Sequence, residues 1–385
     1  MSLQGKLQKT SLPKNSLIFL AAYGLFILSM TIEFTSLRYS FDKGLQLMRY
    51  AAYALFLFKI ALEAVYRKKD TFIFVLLLLL SILQSRVTGM REICFLLLML
   101  FACYRVEIKA AFKVQIAVQM VCLLGVFALC ALGILENLEY FDHGRIRYTM
   151  GFVYINGAGS VFFSSELAWL FLRNRQISIK EVLLILCGWG VIFYYTDLRT
   201  MTLLGCAAVL AVYVTRRWRW SVDRGMFKAL FLAVPAGLFL FSWVLQWCYN
   251  LNSGHALMQS LNAKLNGRLN LAKKALELYD INLWGNRIAW IGNADNLNRN
   301  KYNFVDCSYI RIPLDYGLII GVFFLAAFCF IMYRLVKQNN QTGCILFCII
   351  LLCGFMMNVL TGVSYNPFLL LAGGIFHGKA EVHRT

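Results

Sequence analysis

Long stretches of this chain carry almost no charge, and that feature most limits what it can fold into. Phe72–Leu83, Ile93–Cys103, Val114–Leu135, Phe227–Tyr249, Leu318–Met332 and Cys344–Leu360 are nearly unbroken apolar runs. A helix crosses a hydrocarbon core with roughly 20 mostly apolar residues, fewer when its ends snorkel. Of the 385 residues, 60% are hydrophobic and 15% charged, against about 45–50% and 25% in soluble domains. A soluble domain of this length has a core too small to hide so much apolar surface. With only four prolines to interrupt them, the runs predict an all-α, polytopic transmembrane bundle. The first run, Leu17–Met30, has no small-residue cleavage site and reads as a span rather than a signal peptide.

Taken in order, the apolar segments predict about 12 spans: 17–35, 45–65, 71–85, 92–104, 111–135, 150–172, 181–196, 200–215, 227–249, 309–333, 343–361 and 365–378. Segments 71–85 and 92–104 are compact for separate spans, and the last contains Asn366-Pro367. The chain then divides into 1–249 with nine spans, a polar loop 250–308, and 309–385 with three spans and a short tail. With the N-terminus inside, the inner segments collect Lys6, Lys9, Lys14, Arg67, Lys68, Lys69, Arg105, Lys109, Arg173, Arg175, Lys180, Arg216, Arg217, Arg219, Arg224, Lys228, Arg334, Lys337, Lys379 and Arg384. That is 20 cations, against seven in the short outer loops: Arg38, Lys43, Arg86, Arg91, Arg145, Arg147 and Arg199. Positive charge accumulates on the cytoplasmic side of membrane proteins. Both termini are therefore expected in the cytoplasm and the long loop outside, with Trp218 and Trp220 as an interfacial anchor.

The net charge of +19 is spread in clusters between spans, not in one patch, so nucleic acid is not an expected partner. The twelve cysteines sit mostly in apolar runs, where the default is a small buried hydrophobe. Cys248 and Cys307 flank the long loop and could pair only in an oxidising outer compartment. No CxxC or Cys/His spacing points to a metal, and no P-loop or nucleotide motif is present. No cofactor is expected.

The informative polar residues fall on the predicted outer side. Arg145 and Arg147 open a span, with Asn156, Gly157 and Gly159 about two turns inside it. Thr196-Asp197-Leu198-Arg199-Thr200 is a tight turn. In the long loop, Asn266-Gly267-Arg268 opens a predicted amphipathic helix, Leu269–Tyr279, with Leu269, Ala272, Leu276 and Tyr279 on one face. Leu283-Trp284-Gly285-Asn286-Arg287 follows, an aromatic–polar mix suited to sugar contact, and Asp306-Cys307-Ser308-Tyr309 closes the loop. Arg147, Arg199, Arg268, Arg287 and Arg311 form an outer set of arginines, opposite to the usual bias. Guanidinium groups suit phosphate oxygens, so a lipid-linked phosphate or pyrophosphate is the expected partner. A carboxylate nearby could accept a proton from an attacking sugar hydroxyl.

These motifs resemble those of Wzy-type polysaccharide polymerases, of the O-antigen polymerase and ligase superfamily. Arg147-x-x-x-Gly151-x(4)-Asn156-x-x-Gly159 is similar to that family's "R…G…HPN…G" stretch, and Thr196-x-x-Arg199-Thr200 to its "S-R-t/g" turn. Gly267-Arg268, Gly285, Asp306-x-x-Tyr309 and Gly317 follow the order of its "GR…G…D-x-x-y…G" loop. The likeness covers roughly residues 140–330; the first 130 residues match only in hydropathy. Ile155 and Tyr154 stand where the family has Pro and His. Related ligases usually carry a His near the position of Asp306, whereas His255 lies far upstream here, which favours a polymerase.

The resemblance implies a metal-independent membrane glycosyltransferase of GT-C type in the bacterial cytoplasmic membrane. It would polymerise undecaprenyl-pyrophosphate-linked repeat units of O-antigen, capsule or exopolysaccharide at the outer leaflet. By that likeness Arg147, Arg199 and Arg268 hold pyrophosphate and Asp306 orients or deprotonates the acceptor. Asn156, Arg145, Arg287, Tyr309 and Trp284 complete the expected substrate contacts, and a chain-length regulator is an expected partner. A ligase is the alternative within the same class. A flippase or transporter of lipid-linked oligosaccharide would want midplane charge, for which only Glu33, Lys59, Glu63 and Glu166 offer themselves. A non-catalytic scaffold is the remaining alternative.

Overall fold

The structure is a computed structural model that describes residues 14–63, 66–142, 145–218, 220–292 and 302–376. Lys6, Lys9, Gly144, Arg219, Lys379, Arg384 and loop residues 293–301 lie outside the described residues, as do both termini.

The chain forms α1 (Lys14–Glu33), α2 (Arg38–Leu62), α3 (Lys68–Thr88), α4 (Glu92–Ala102) and α5 (Ile108–Ala131), then strands β1 (Glu139–Asp142) and β2 (Arg145–Tyr148). Next come α6 (Gly157–Arg173), α7 (Ile179–Thr196), α8 (Arg199–Thr215), α9 (Gly225–Leu251), α10 (Ala256–Lys264), α11 (Arg268–Leu278), α12 (Ser308–Lys337) and α13 (Gln341–Met356). Among the described residues seven helices are long and apolar enough to cross a membrane: α1, α2, α3, α5, α7, α9 and α12. Three shorter ones, α4, α8 and α13, are also apolar. This is an integral-membrane helical bundle.

The apolar segments predict the elements well but miss details with physical causes. The last segment is a 3-10 helix, Pro367–Ile375, preceded by irregular chain from Met357. Pro367 starts it without needing a backbone donor, and Gly373 and Gly374 weaken its far half. At about 2.0 Å per residue it falls short of a core about 30 Å thick. The sixth segment turns helical only at Gly157: Met150 and Gly151 have left-handed backbone (φ 56° and 83°) and Phe152 bridges Thr35, after antiparallel strands 139–142 and 145–148 that pair Tyr140 with Arg147 and Phe141 with Ile146. The alternation Arg145-Ile146-Arg147-Tyr148 suits a strand, so the chain is not purely α. Asn156 consequently lies at the N-cap of α6, not two turns inside a span.

Small residues and satisfied polar groups hold the bundle together. Gly205 of α8 lies directly against the fully buried ring of Trp189 from α7, and small residues let membrane helices approach closely. Gln115 of α5 accepts from the Tyr23 hydroxyl and donates to Ser164 at 2.7 Å, and Gln119 donates to the Ser364 carbonyl at 2.8 Å. These bonds tie α1, α5, α6 and the irregular segment before the 3-10 helix, where an unmatched amide would be costly. The contacts also define two ends. At one, Thr35 bridges Phe152, Arg147 reaches Thr196, and the long loop packs on α9 through α11 and bonds to α12 at Leu314 and Leu318. At the other, Glu63 accepts from Asn15, Ser16 donates to the Arg105 carbonyl, and Arg216 donates to the Ile177 carbonyl.

Candidate functional site

The loop end carries two arginine clusters. The first depends on α11, whose start is fixed by Asn266 and Gly267, both with left-handed backbone (φ 54° and 78°). The Asn262 side chain accepts from the Asn270 amide at 3.1 Å, and Gln246 of α9 donates to the Leu269 carbonyl at 3.0 Å. With Leu269, Ala272 and Ala275 buried beneath it, α11 presents Arg268 to Asp306, and Nε meets Oδ2 at 2.9 Å. Both side chains are 22% exposed. Burial pushes the Asp306 carboxyl above its ordinary value, while the charges of Arg268 and Arg311 and the Arg268 hydrogen bond oppose that rise.

Arg311, in the first turns of α12, pairs with Asp315 at 2.9 Å, and the indole of Trp290 donates to the same carboxylate at 2.7 Å. Its guanidinium lies 4.3 Å from the ring centroid of Phe304 and 4.8 Å from that of Trp290. One terminal nitrogen, Nη1, is buried without a hydrogen-bond partner among the described residues. Asp315 and Trp290 escape sequence reasoning. The i,i+4 spacing of Arg311 and Asp315 is the signal that could have found the first. Tyr309, by contrast, is 1% exposed and donates its hydroxyl to the Leu351 carbonyl at 2.8 Å.

The segment expected to contact sugar packs into a break in α12. α12 is broken at Gly317 (φ 82°, ψ 171°), and residues 282–286 fill the break. Leu318 donates to the Asn282 carbonyl at 3.0 Å, and the Asn286 amide to the Leu314 carbonyl at 3.0 Å. The amides of Trp284 and Gly285 both donate to the Asn282 side chain, at 2.9 and 2.7 Å. The Trp284 ring is half-buried, while Arg287 is exposed beside Gly89, at the α3–α4 turn.

The second cluster surrounds the C-terminus of α7. Arg147 donates through Nε to the Thr196 carbonyl at 2.8 Å, and Arg145 pairs with the Asp197 carboxylate. Arg199 reaches the same carboxylate at 3.2 Å while remaining 63% exposed. Asp197 has a left-handed backbone (φ 49°), and its αL conformation ends α7 and turns the chain into α8. Asn156 is exposed at the head of α6, and its side chain makes no capping bond.

The structure thus groups Arg145, Arg147 and Arg199 in one place and Arg268, Asp306 and Arg311 in another. Cys248 and Cys307 are free thiols. Among the described residues, no group of three or more His, Cys, Asp or Glu side chains is arranged to hold a metal ion. Compared with known proteins, the chain matches no family model, no curated protein and no solved structure.

Chemically, the first cluster offers a half-buried carboxylate whose proton affinity is raised, in contact with a guanidinium. The second offers an exposed guanidinium held in place by a turn. A proton acceptor and fixed positive charges are what group transfer to a hydroxyl with an anionic leaving group requires.

Proposed function

We propose that the chain is a membrane glycosyltransferase of the Wzy-type class, joining oligosaccharide repeat units carried on a lipid pyrophosphate. In this reading it spans the bacterial cytoplasmic membrane about 12 times, with the long loop and both arginine clusters at the outer leaflet. The observation that carries it is the 2.9 Å pair between Arg268 and Asp306, where the long loop meets the first turn of α12. In the resting site each masks the other. An arriving pyrophosphate competes for Arg268 and releases the Asp306 carboxylate.

The acceptor sugar hydroxyl then attacks the anomeric carbon of the donor. Its proton passes to the Asp306 carboxylate as the carbon–oxygen bond to pyrophosphate breaks. The electron pair leaves on the lipid pyrophosphate, where guanidinium groups stabilise the developing charge. Arg199 is suited to bind that anion because it is mostly exposed and makes only a surface pair with Asp197. Arg147, bonded to carbonyls, supports the turn that carries Arg199.

A carrier that moves charge across the midplane receives less support. Glu33 pairs with Arg49 at the loop end, Lys59 with Glu63 at the opposite end, and Glu166 accepts from Trp189 inside the bundle.

The test is complementation of a strain lacking the chain. Arg199→Ala and Arg268→Ala should each leave single lipid-linked repeat units with the protein still in the membrane. Full-length polymer from both variants would overturn the pyrophosphate reading. Long lipid-linked polymer accumulating in the deleted strain would instead identify a ligase.

A further inference from the structure

Outside both clusters, a cleft of about 340 Å³ opens at the α3–α4 turn. Its walls include Ile82, Arg86, Arg91, Cys94 and Phe95. Arg287, from the long loop, lies at its edge: its Nε is 3.7 Å from where a side chain on Gly89 would begin. The other loop-end arginines that form ion pairs have identified acids: Arg49 with Glu33, Arg145 and Arg199 with Asp197, Arg268 with Asp306, Arg311 with Asp315. Arg86, Arg91 and Arg287 are all exposed and form no ion pair among the described residues. The adjacent carboxylate is Glu92, also exposed and in no ion pair among the described residues.

The cleft continues into an apolar track. Phe72, Val75, Leu79 and Ile82 are all exposed on α3, and their spacing of three, four and three residues puts them on one face. Four residues beyond Ile82 the same face reaches Arg86. A hydrocarbon chain lying along α3 would therefore bring its head group to the three guanidiniums.

We propose that this cleft binds a lipid ending in a phosphomonoester or pyrophosphate. Three guanidiniums set against one carboxylate complement a group with about two negative charges better than a singly charged phosphodiester. The inference rests on the polymerase reading for its biological meaning: two pyrophosphate lipids, donor and acceptor, must be held at once, and this is the second seat. Arg287 joins that seat to the reaction site, because Asn286 beside it is bonded to α12 at Leu314, one residue before Asp315.

The test uses the full chain in phosphatidylcholine nanodiscs, with geranylgeranyl pyrophosphate as the probe and native mass spectrometry to count bound lipids. The wild type should hold two, and R86Q/R91Q and R199A/R268A one each. Because R86Q/R91Q removes two charge-assisted guanidinium–phosphate bonds, the cleft affinity should fall at least about tenfold. Both cleft arginines are exposed, so an unchanged thermal midpoint would show that R86Q/R91Q is folded. If the wild type holds one lipid, lost only in R86Q/R91Q, the cleft stands and the clamp of Arg199 and Arg268 falls. If the count and affinity survive R86Q/R91Q, or phosphatidylglycerol at equal mole fraction empties the cleft, the proposal is overturned.

Discussion

The backbones of Gly285 and Gly317 cross in direct contact, one in the long loop and the other at the break in α12. A methyl group on Gly285 would lie 2.4 Å from the Asp315 carbonyl oxygen, and one on Gly317 would lie 2.3 Å from the Leu283 carbonyl oxygen. Both residues also have left-handed φ values, 88° and 82°. The loop thereby supplies acceptors that the broken helix lacks, and it holds Asp306 and Arg311 in fixed relation to Arg268. Glycine is required at both positions for space and for backbone conformation.

Gly285→Ala and Gly317→Ala should each therefore detach the loop from the bundle. Strain at positive φ and the clash with backbone together cost about 2–5 kcal/mol. Limited proteolysis of the purified chain should cut between α9 and α12 at lower protease concentration in both variants. Wild-type protection in either variant would show that this crossing does not hold the loop.

The environment of Asp306 predicts a pH dependence. Its carboxyl is raised above the ordinary value because burial outweighs the pull of Arg268 and Arg311. The folded chain then binds the proton more tightly than the unfolded chain between the ordinary and raised values. Stability from this group is therefore highest at low pH and is lost as pH rises through that window. Base function has the opposite sense, because only the deprotonated carboxylate accepts a proton. Polymerisation should show an acid limb above the usual carboxylate range. Arg268→Gln removes an opposing charge and should move the limb of the residual activity to higher pH, whereas Arg268→Lys should leave it in place. A pH–rate profile on each variant is the measurement, and a limb unmoved in Arg268→Gln removes Asp306 from the base role.

Apolar runs make eleven of the twelve segments legible as α-helices, because a buried or lipid-facing helix must be continuously apolar and satisfy its own backbone. The twelfth departs because Asn366-Pro367 and two glycines disfavour an α-helix there. The hairpin is hard to read because each strand has only four residues and follows a long helical pattern. In the site, arginines are legible as charges out of place, but their partners are not. Arg268 and Asp306 are 38 residues apart, and tertiary contacts such as the Gly285–Gly317 crossing and the burial of α11 against Val305 and Leu314 bring them together. Tyr309 shows the converse: a motif position whose side chain packs inside the bundle.

The two arginines near α7 should separate stability from activity. Arg199 is 63% exposed in a surface ion pair, so Arg199→Ala should change stability by about 1 kcal/mol or less while abolishing long polymer. Arg147 donates to the Thr196 and Asp197 carbonyls, and Arg147→Ala should cost about 1.5–3 kcal/mol through loss of a charge-assisted bond. Thermal unfolding of the two purified variants, with polymer length read in parallel, tests the division. Equal stability loss in both would contradict it.

Gly205→Ala tests whether close approach of α7 and α8 is needed for the site at all. The added carbon would fall 2.2 Å from the Trp189 ring, whose indole donates to Glu166 at 2.8 Å. The ring is fully buried and packs against Phe162 and Phe163, so it has little room to move. α8 must then shift, and with it the Asp197–Arg199 turn at its N-terminus. The variant should lose both monodisperse extraction in detergent and polymer. Glu166→Gln keeps an acceptor for the indole and should leave extraction unchanged, separating the helix contact from the charge. Size-exclusion chromatography of the two variants decides it: a monodisperse Gly205→Ala protein would mean that the α7–α8 contact is looser than the geometry requires.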